Sequence, residues 1–199
     1  MVAANVDSGR GESMTDLELV KAAEAYARRC HAGQTDKCGV PYIEHPRTVA
    51  SLLRDPKEKC VAWLHDTVED SSATVEDIRS IFGDEIADAV ELLTHDKSMP
   101  YLDYIKRLAV NPLARRTKMA DLFHNMDESR FEGREIPERL VWKRANCYLP
   151  AFDYLEQVGR EEGEKERFYE RDEREVEIHL TRHDKRTGTS EKGSREGEG

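Results

Sequence analysis

The chain has 199 residues, about one domain's worth, with 38% hydrophobic and 36% charged residues and a formal net charge of -10. That acidity argues against a nucleic-acid-coating protein, and a small anionic ligand would need local positive charge from a metal or a few Lys and Arg side chains. No apolar run reaches membrane-spanning length, and the opening MVAANVDSGRGESM lacks a signal-peptide core, so a cytoplasmic protein with no membrane or nucleic-acid partner is expected.

Residues 1–13 are Gly, Ser and charge, and are expected to be disordered. A helix then opens at Met14 or Thr15, with Leu17, Val20, Ala23, Ala27 and Cys30 on one face, and ends at Gly33. Residues 33–45 read as a loop broken by Gly39 and Pro41. Pro46 suits the first turn of the next helix, and Asp55-Pro56 starts another that carries the apolar run Val61-Ala62-Trp63-Leu64. Thr74 reads as an N-cap with Asp77 three residues on, and Gly83 stops that helix. Further helices are expected over 84–94, over 101–110, from Pro112 through Met126, and from Pro137 onward with a kink at Pro150. Trp63 and Trp142 read as core.

The expectation is therefore an all-α, irregular multi-helix bundle over 14–158 and a charged, disordered tail over 159–199. Within that tail Val176–Leu180 alternates and is a weaker candidate for a short strand. The four cysteines, Cys30, Cys38, Cys60 and Cys147, form no C-x-x-C pair and read as reduced, small hydrophobes.

Polar residues able to bind metal stand where the apolar pattern does not ask for them. His65-Asp66 closes the run Val61–Leu64, Asp121 lies inside Met119–Phe123, and His45 ends the Gly/Pro loop. Burying such groups is expensive unless they are hydrogen-bonded, paired or metal-bound. Two imidazoles and two carboxylates can form an N/O site suited to Mn, Fe, Zn or Ni. Glu69 and Asp70 follow Asp66 on one helical face and can orient a water or move its proton. Each residue alone also has a plain structural reading, as a hydrogen-bonded core histidine or a surface Asp.

The order His45, His65-Asp66, Asp121 resembles the signature of HD phosphohydrolases. The segments HAGQTDKCGVPYIEHPRTVA (31–50), AWLHDTVEDSSATVEDI (62–78), LTHDKS (93–98) and KMADLFHNMDESR (118–130) resemble the hydrolase domain of RelA/SpoT-type proteins and the single-domain small alarmone hydrolases, over residues 17–155. The resemblance implies that His45, His65, Asp66 and Asp121 hold Mn²⁺ or another divalent transition metal, and that Glu69 and Asp70 activate the attacking water. It implies substrate contacts from Lys37, Lys97 and Asn125. The implied reaction removes the 3′-pyrophosphate of ppGpp or pppGpp, a small-molecule nucleotide substrate. The alternative is an HD phosphohydrolase of another nucleotide or a phosphate monoester. It is motivated by Asp36, which stands where many members carry an arginine against the base.

Arg47, two residues after His45, is a further phosphate candidate. Arg115, Arg116 and Lys118 read first as a solvated helix face and second as an anion pocket. His31 reads as a hydrogen-bonded helix end, His124 as a support for the metal ligands and His95 as a loop residue. Tyr42 reads equally as a stacking partner or as packing.

Overall fold

The computed structural model describes residues 14–37, 39–131 and 133–164. The expectations for 1–13, for Val176–Leu180 and for the rest of 165–199 lie outside the described residues. Every regular element described is helical, and the only β pairing among them is an isolated bridge between Thr35 and Pro41.

Local chemistry starts and stops the helices. Helix α1 (Asp16–Cys30) is opened by a capping box between Thr15 and Glu18. Helix α2 (Glu44–Ser51) holds Pro46 in its first turn, where a missing N–H costs nothing. Helix α3 (Pro56–Leu64) starts at Asp55, whose carboxylate accepts from the N–H groups of Lys57 and Glu58. A single turn, α4 (Thr67–Asp70), follows. Helix α5 (Val75–Phe82) has a complete capping box in which Asp77 does the work more often done by Glu. Gly83, at φ 85°, separates it from α6 (Asp84–Leu93).

Helix α7 (Tyr101–Ala109) and the 15-residue α8 (Pro112–Met126) complete the core; α8 is capped by the Asn111 side chain. A 3₁₀ turn (Ser129–Phe131) leads to α9 (Glu138–Lys143), a π-helical turn (Arg144–Tyr148) and α10 (Leu149–Glu161). The predicted kink at Pro150 takes this form: the helix widens in the turns just before the proline, which offers no N–H.

Helices α3 and α8 are the axis of the bundle. Cys60 to Leu64 are all buried, and α8 packs against α2, α3, α6, α7 and α10. α8 accordingly buries residues on most of its circumference, including Arg115, Thr117, Asp121 and His124. Two expectations fail here. Trp142 is 60% exposed, and Arg115 is not on a solvated face but fully buried. The last helix also runs past 158, and Glu162 and Glu164 bond to Arg115. Among the described residues no helix is long and apolar enough to cross a membrane.

Candidate metal centre and cleft

The site forms where α2, the end of α3 and the middle of α8 meet. His65 caps α3, and its Nδ1 donates to the Ala62 carbonyl at 2.7 Å. A carbonyl only accepts, so this bond fixes the ring and turns Nε2 inward. His45 Nε2 lies 3.2 Å from His65 Nε2 and 3.2 Å from Asp121 Oδ1. These three donor atoms fall within 4.8 Å of one another and all three residues are buried. Asp66 stands beside this trio, with Oδ2 3.0 Å from His65 Nε2 and 3.5 Å from His45 Nε2.

The surroundings hold the donors in place. Lys118 Nζ donates to Asp121 Oδ2 at 2.8 Å, and Asn125 Nδ2 donates to its Oδ1. Residues 118, 121 and 125 share one face of α8 through i,i+3 and i,i+4 spacing. His124 Nδ1 and His45 Nδ1 share a hydrogen at 2.8 Å. Tyr42 donates its phenol hydrogen to Asp66 Oδ2.

The electrostatics are those of a cation site. Burial lowers the affinity of His65 for a proton, but Asp66 and Asp121 outweigh it and bring its pKa up to about 9. Burial raises the carboxyl of Asp121, and Lys118 and His45 more than reverse this, leaving it well below the usual carboxylate range. Asp66 is lowered in the same sense, by His65 and His45 against burial. Burial and the neighbouring His45 push His124 down to about 4, so it remains neutral. Two inward imidazole nitrogens and two ionised carboxylates thus converge, and in the absence of an ion the Lys118 ammonium and a proton on His65 balance the carboxylates. That donor set fits a divalent metal ion.

Burial and the Asp66 carboxylate raise the Tyr42 phenol, so it stays a donor at every ordinary pH. Tyr42→Phe leaves Asp66 without this partner. It is expected to weaken divalent-metal affinity by about 10-fold or more, read by competition with a fluorescent chelator. An unchanged affinity would show that Asp66 needs no such support.

The cluster opens into a cleft of two adjoining lobes, about 490 and 370 Å³. Asp66, Glu69, Lys118, Asp121 and Asn125 line both. The larger lobe adds Asp36, Lys37, Tyr42, Asp70, Arg130 and Phe131; the smaller adds His95, Tyr101, Tyr104 and Cys147. Lys143 and Tyr148 belong to both.

Of the residues singled out in the sequence, His45, His65, Asp66, Asp121, Glu69, Asp70, Lys37 and Asn125 thus come together. Lys97 does not line either lobe: it is 85% exposed, with Nζ 3.9 Å from Glu69 Oε1. Arg47 lies away from the cleft, pairing with Glu44 at 2.9 Å on the outer side of α2. Two residues along a helix point to different sides, so adjacency to His45 in sequence does not carry Arg47 to the site.

Sequence reasoning passed over Lys143, Arg130 and Tyr148, and it ranked Lys118 first as solvated face and only second as part of an anion pocket, which is where it stands. Lys118 offered a signal, since its place three residues before Asp121 sets both on one helix face. His31 caps α1 and bonds Gln34, and His124 supports His45, each in its expected role.

An all-helical bundle that draws two imidazoles and carboxylates from three central helices to the floor of a cleft is a metal-binding helical domain. The chain belongs to the HD domain family, whose profile matches residues 23–123. It is 35% identical over 165 residues to a probable guanosine-3′,5′-bis(diphosphate) 3′-pyrophosphohydrolase of Synechocystis, covering 75% of this chain and 22% of that protein. It is 32% identical over 147 residues to a GTP pyrophosphokinase of Streptomyces coelicolor, covering 67% and 17%. The chain thus spans about a fifth of the length of these curated relatives. In fold it is similar to the solved structure of a metazoan ortholog of SpoT that hydrolyses ppGpp, with a TM-score of 0.53 and 22% identity over 76% of this chain and 99% of that one.

Proposed function

We propose that this chain is a Mn²⁺-dependent hydrolase that removes the 3′-pyrophosphate of ppGpp and pppGpp, giving GDP or GTP and pyrophosphate. One observation carries the reading. A single cleft has a buried His/Asp floor, the Glu69–Asp70 pair on one wall, and Lys37, Lys118, Lys143 and Arg130 around it. Cations on the walls suit a polyphosphate that the chain's overall negative charge would repel. The names and activities of the relatives support the same substrate.

In this reading His45, His65, Asp66 and Asp121 hold the metal. The bound ion supplies Lewis-acid polarisation of the phosphoryl group. Glu69 and Asp70 orient the attacking water and take its proton. The water oxygen bonds to the phosphorus on the ribose 3′-oxygen, the P–O3′ bond breaks, and O3′ leaves with a proton. Lys37 and Lys143 hold phosphate oxygens, and Asn125, already bonded to Asp121, faces the ribose. The His95 N–H donates to Glu69 Oε2 at 3.4 Å, and Lys97, 85% exposed, stays at the rim.

Asp36 bears on the base. Its Oδ2 accepts from Arg130 Nη2 at 3.0 Å, and its Oδ1 accepts from the Val40 N–H. A guanidinium therefore stands beside this position after all, delivered by the 3₁₀ turn after α8 and held by Asp36. Such a planar cation can stack on a purine. The exchange also favours a second reading, an HD phosphohydrolase acting on a different nucleotide or a phosphate monoester.

The test is incubation of the purified chain with ppGpp and Mn²⁺, with products separated by ion-exchange chromatography. GDP and pyrophosphate are expected, and a chelator is expected to stop their release. Survival of ppGpp at saturating Mn²⁺, with inorganic phosphate released from another nucleotide, would replace the first reading by the second.

A further inference from the structure

Glu69 and Asp70 ride on α4, a helix of four residues. One turn cannot hold itself, because helix nucleation is unfavourable and the terminal carbonyls have no helical partners. Thr67, fully buried, anchors the turn to α3 by donating to the Leu64 carbonyl, and the Ser71 hydroxyl donates to the Thr67 carbonyl; the hold on its two ends from outside comes from the loop between α1 and α2. Gln34 Nε2 donates to the Asp70 carbonyl at 2.8 Å, at the end of α4. Tyr42 donates to Asp66, at its start.

These two residues belong to one narrow hairpin. The Tyr42 N–H donates to the Gln34 carbonyl at 2.9 Å, the Asp36 N–H donates to the Val40 carbonyl at 2.8 Å, and Thr35 and Pro41 form the bridge between the arms. The hairpin therefore grips α4 at both ends.

The Gln34 amide has one sensible orientation. The Asp70 carbonyl accepts only, so Nε2 must face it, and Oε1 then faces His31 Nδ1 at 2.8 Å. His31 in turn must carry its hydrogen on Nδ1. Its Nε2 is left buried with no partner among the described residues. An unpaired buried acceptor is a cost to stability, retained here in an arrangement that fixes α4. His31 and Tyr42 also pack ring against ring, with centroids 4.9 Å apart, which stiffens the base of the hairpin.

We propose that Gln34 is a positioning residue: its amide links His31 to the Asp70 carbonyl and so sets where the Glu69–Asp70 pair stands relative to the metal cluster. The proposal rests on the role given above to Glu69 and Asp70. It does not require that the substrate be ppGpp.

The test is Gln34→Glu in the full chain loaded with Mn²⁺. The side chain keeps its length and still accepts from His31, but it presents oxygen to the Asp70 carbonyl. The expected result is a kcat lowered between about 10- and 100-fold, as for a displacement on the order of 1 Å at a reacting centre. KM and Mn²⁺ affinity should change little. Hydrogen–deuterium exchange should speed up in Asp66–Ser72 and stay the same in α3 and α8.

Unchanged exchange in Asp66–Ser72 overturns the proposal, whatever nucleotide is turned over. So does an unchanged kcat, or a general loss in which KM, metal affinity and exchange throughout the chain all move. A wild type that leaves ppGpp intact sinks the alarmone reading alone, and the exchange result still decides the role of Gln34.

Discussion

Asp121→Asn is expected to cut ppGpp turnover by about 10³-fold or more. Loss of Lewis-acid stabilisation amounts to several kcal/mol, and each 1.4 kcal/mol is tenfold in rate. The change keeps the shape and removes the charge. It acts twice. The carboxylate is one of three donor groups converging within 4.8 Å. It is also the partner of the Lys118 ammonium, whose side chain is only 15% exposed. With Asn at 121, Lys118 faces two imidazoles without its counter-charge, so Mn²⁺ affinity and fold stability should both fall. The wild-type carboxyl is held well below its ordinary value in the folded chain. Its contribution to stability is therefore complete above the unfolded Asp value of about 3.9 and fades only as pH falls through the lower folded value. The stability difference between wild type and variant should therefore stay level from pH 8 down to about pH 4 and shrink only below that. Urea unfolding from pH 2 to pH 8, with turnover compared at neutral pH, checks this. Activity within tenfold of wild type would remove Asp121 from the metal set.

The features legible in the sequence were those with a local cause. Pro56, Pro112, Thr74 and Gly83 mark helix ends because caps and missing N–H groups act on their own neighbours, and the structure puts ends at these places. The His65-Asp66 pair was legible because it ends a run that had to be buried. Asp121 stood out as a charge inside an apolar stretch. What escaped was set by packing between distant segments. Arg115 looks like any surface arginine until the end of α10 arrives over it with Glu162 and Glu164. Lys143 and Arg130 reach the cleft only because the segment after α8 folds back over the loop at 35–37. Trp142 reads as core on an ideal helical period. The five-residue π turn that follows it breaks the period, and the ring ends up outside. Asp36 is the converse case. Its sequence position suggested a lost cation, and the structure supplies one from 94 residues away.

Arg115→Leu is the second substitution expected to have a large effect, and it acts on stability far from the cleft. The Arg115 side chain is fully buried, with Nη1 donating to the Ala109 carbonyl and Nη2 to Glu162 and Glu164 at 2.6 Å each. Glu164 lies 3.8 Å from Arg116, which in turn contacts Glu58. Two arginines thus hold three carboxylates, and α10 is tied through them to α8 and α3. Leucine fills part of the volume, but it leaves the Ala109 carbonyl without this donor and the remaining carboxylates with one cation. The carboxylates left behind are 47% and 25% exposed and can turn to water, so the expected loss in urea unfolding is that of an unmet buried carbonyl, about 1–3 kcal/mol, rather than that of a stranded buried charge.

A loss below about 1 kcal/mol, in the range of an exposed pair, would mean that Arg115 sits in the core without fastening α10 to it. The Glu162 and Glu164 contacts would then be consequences of the helix's position rather than its cause.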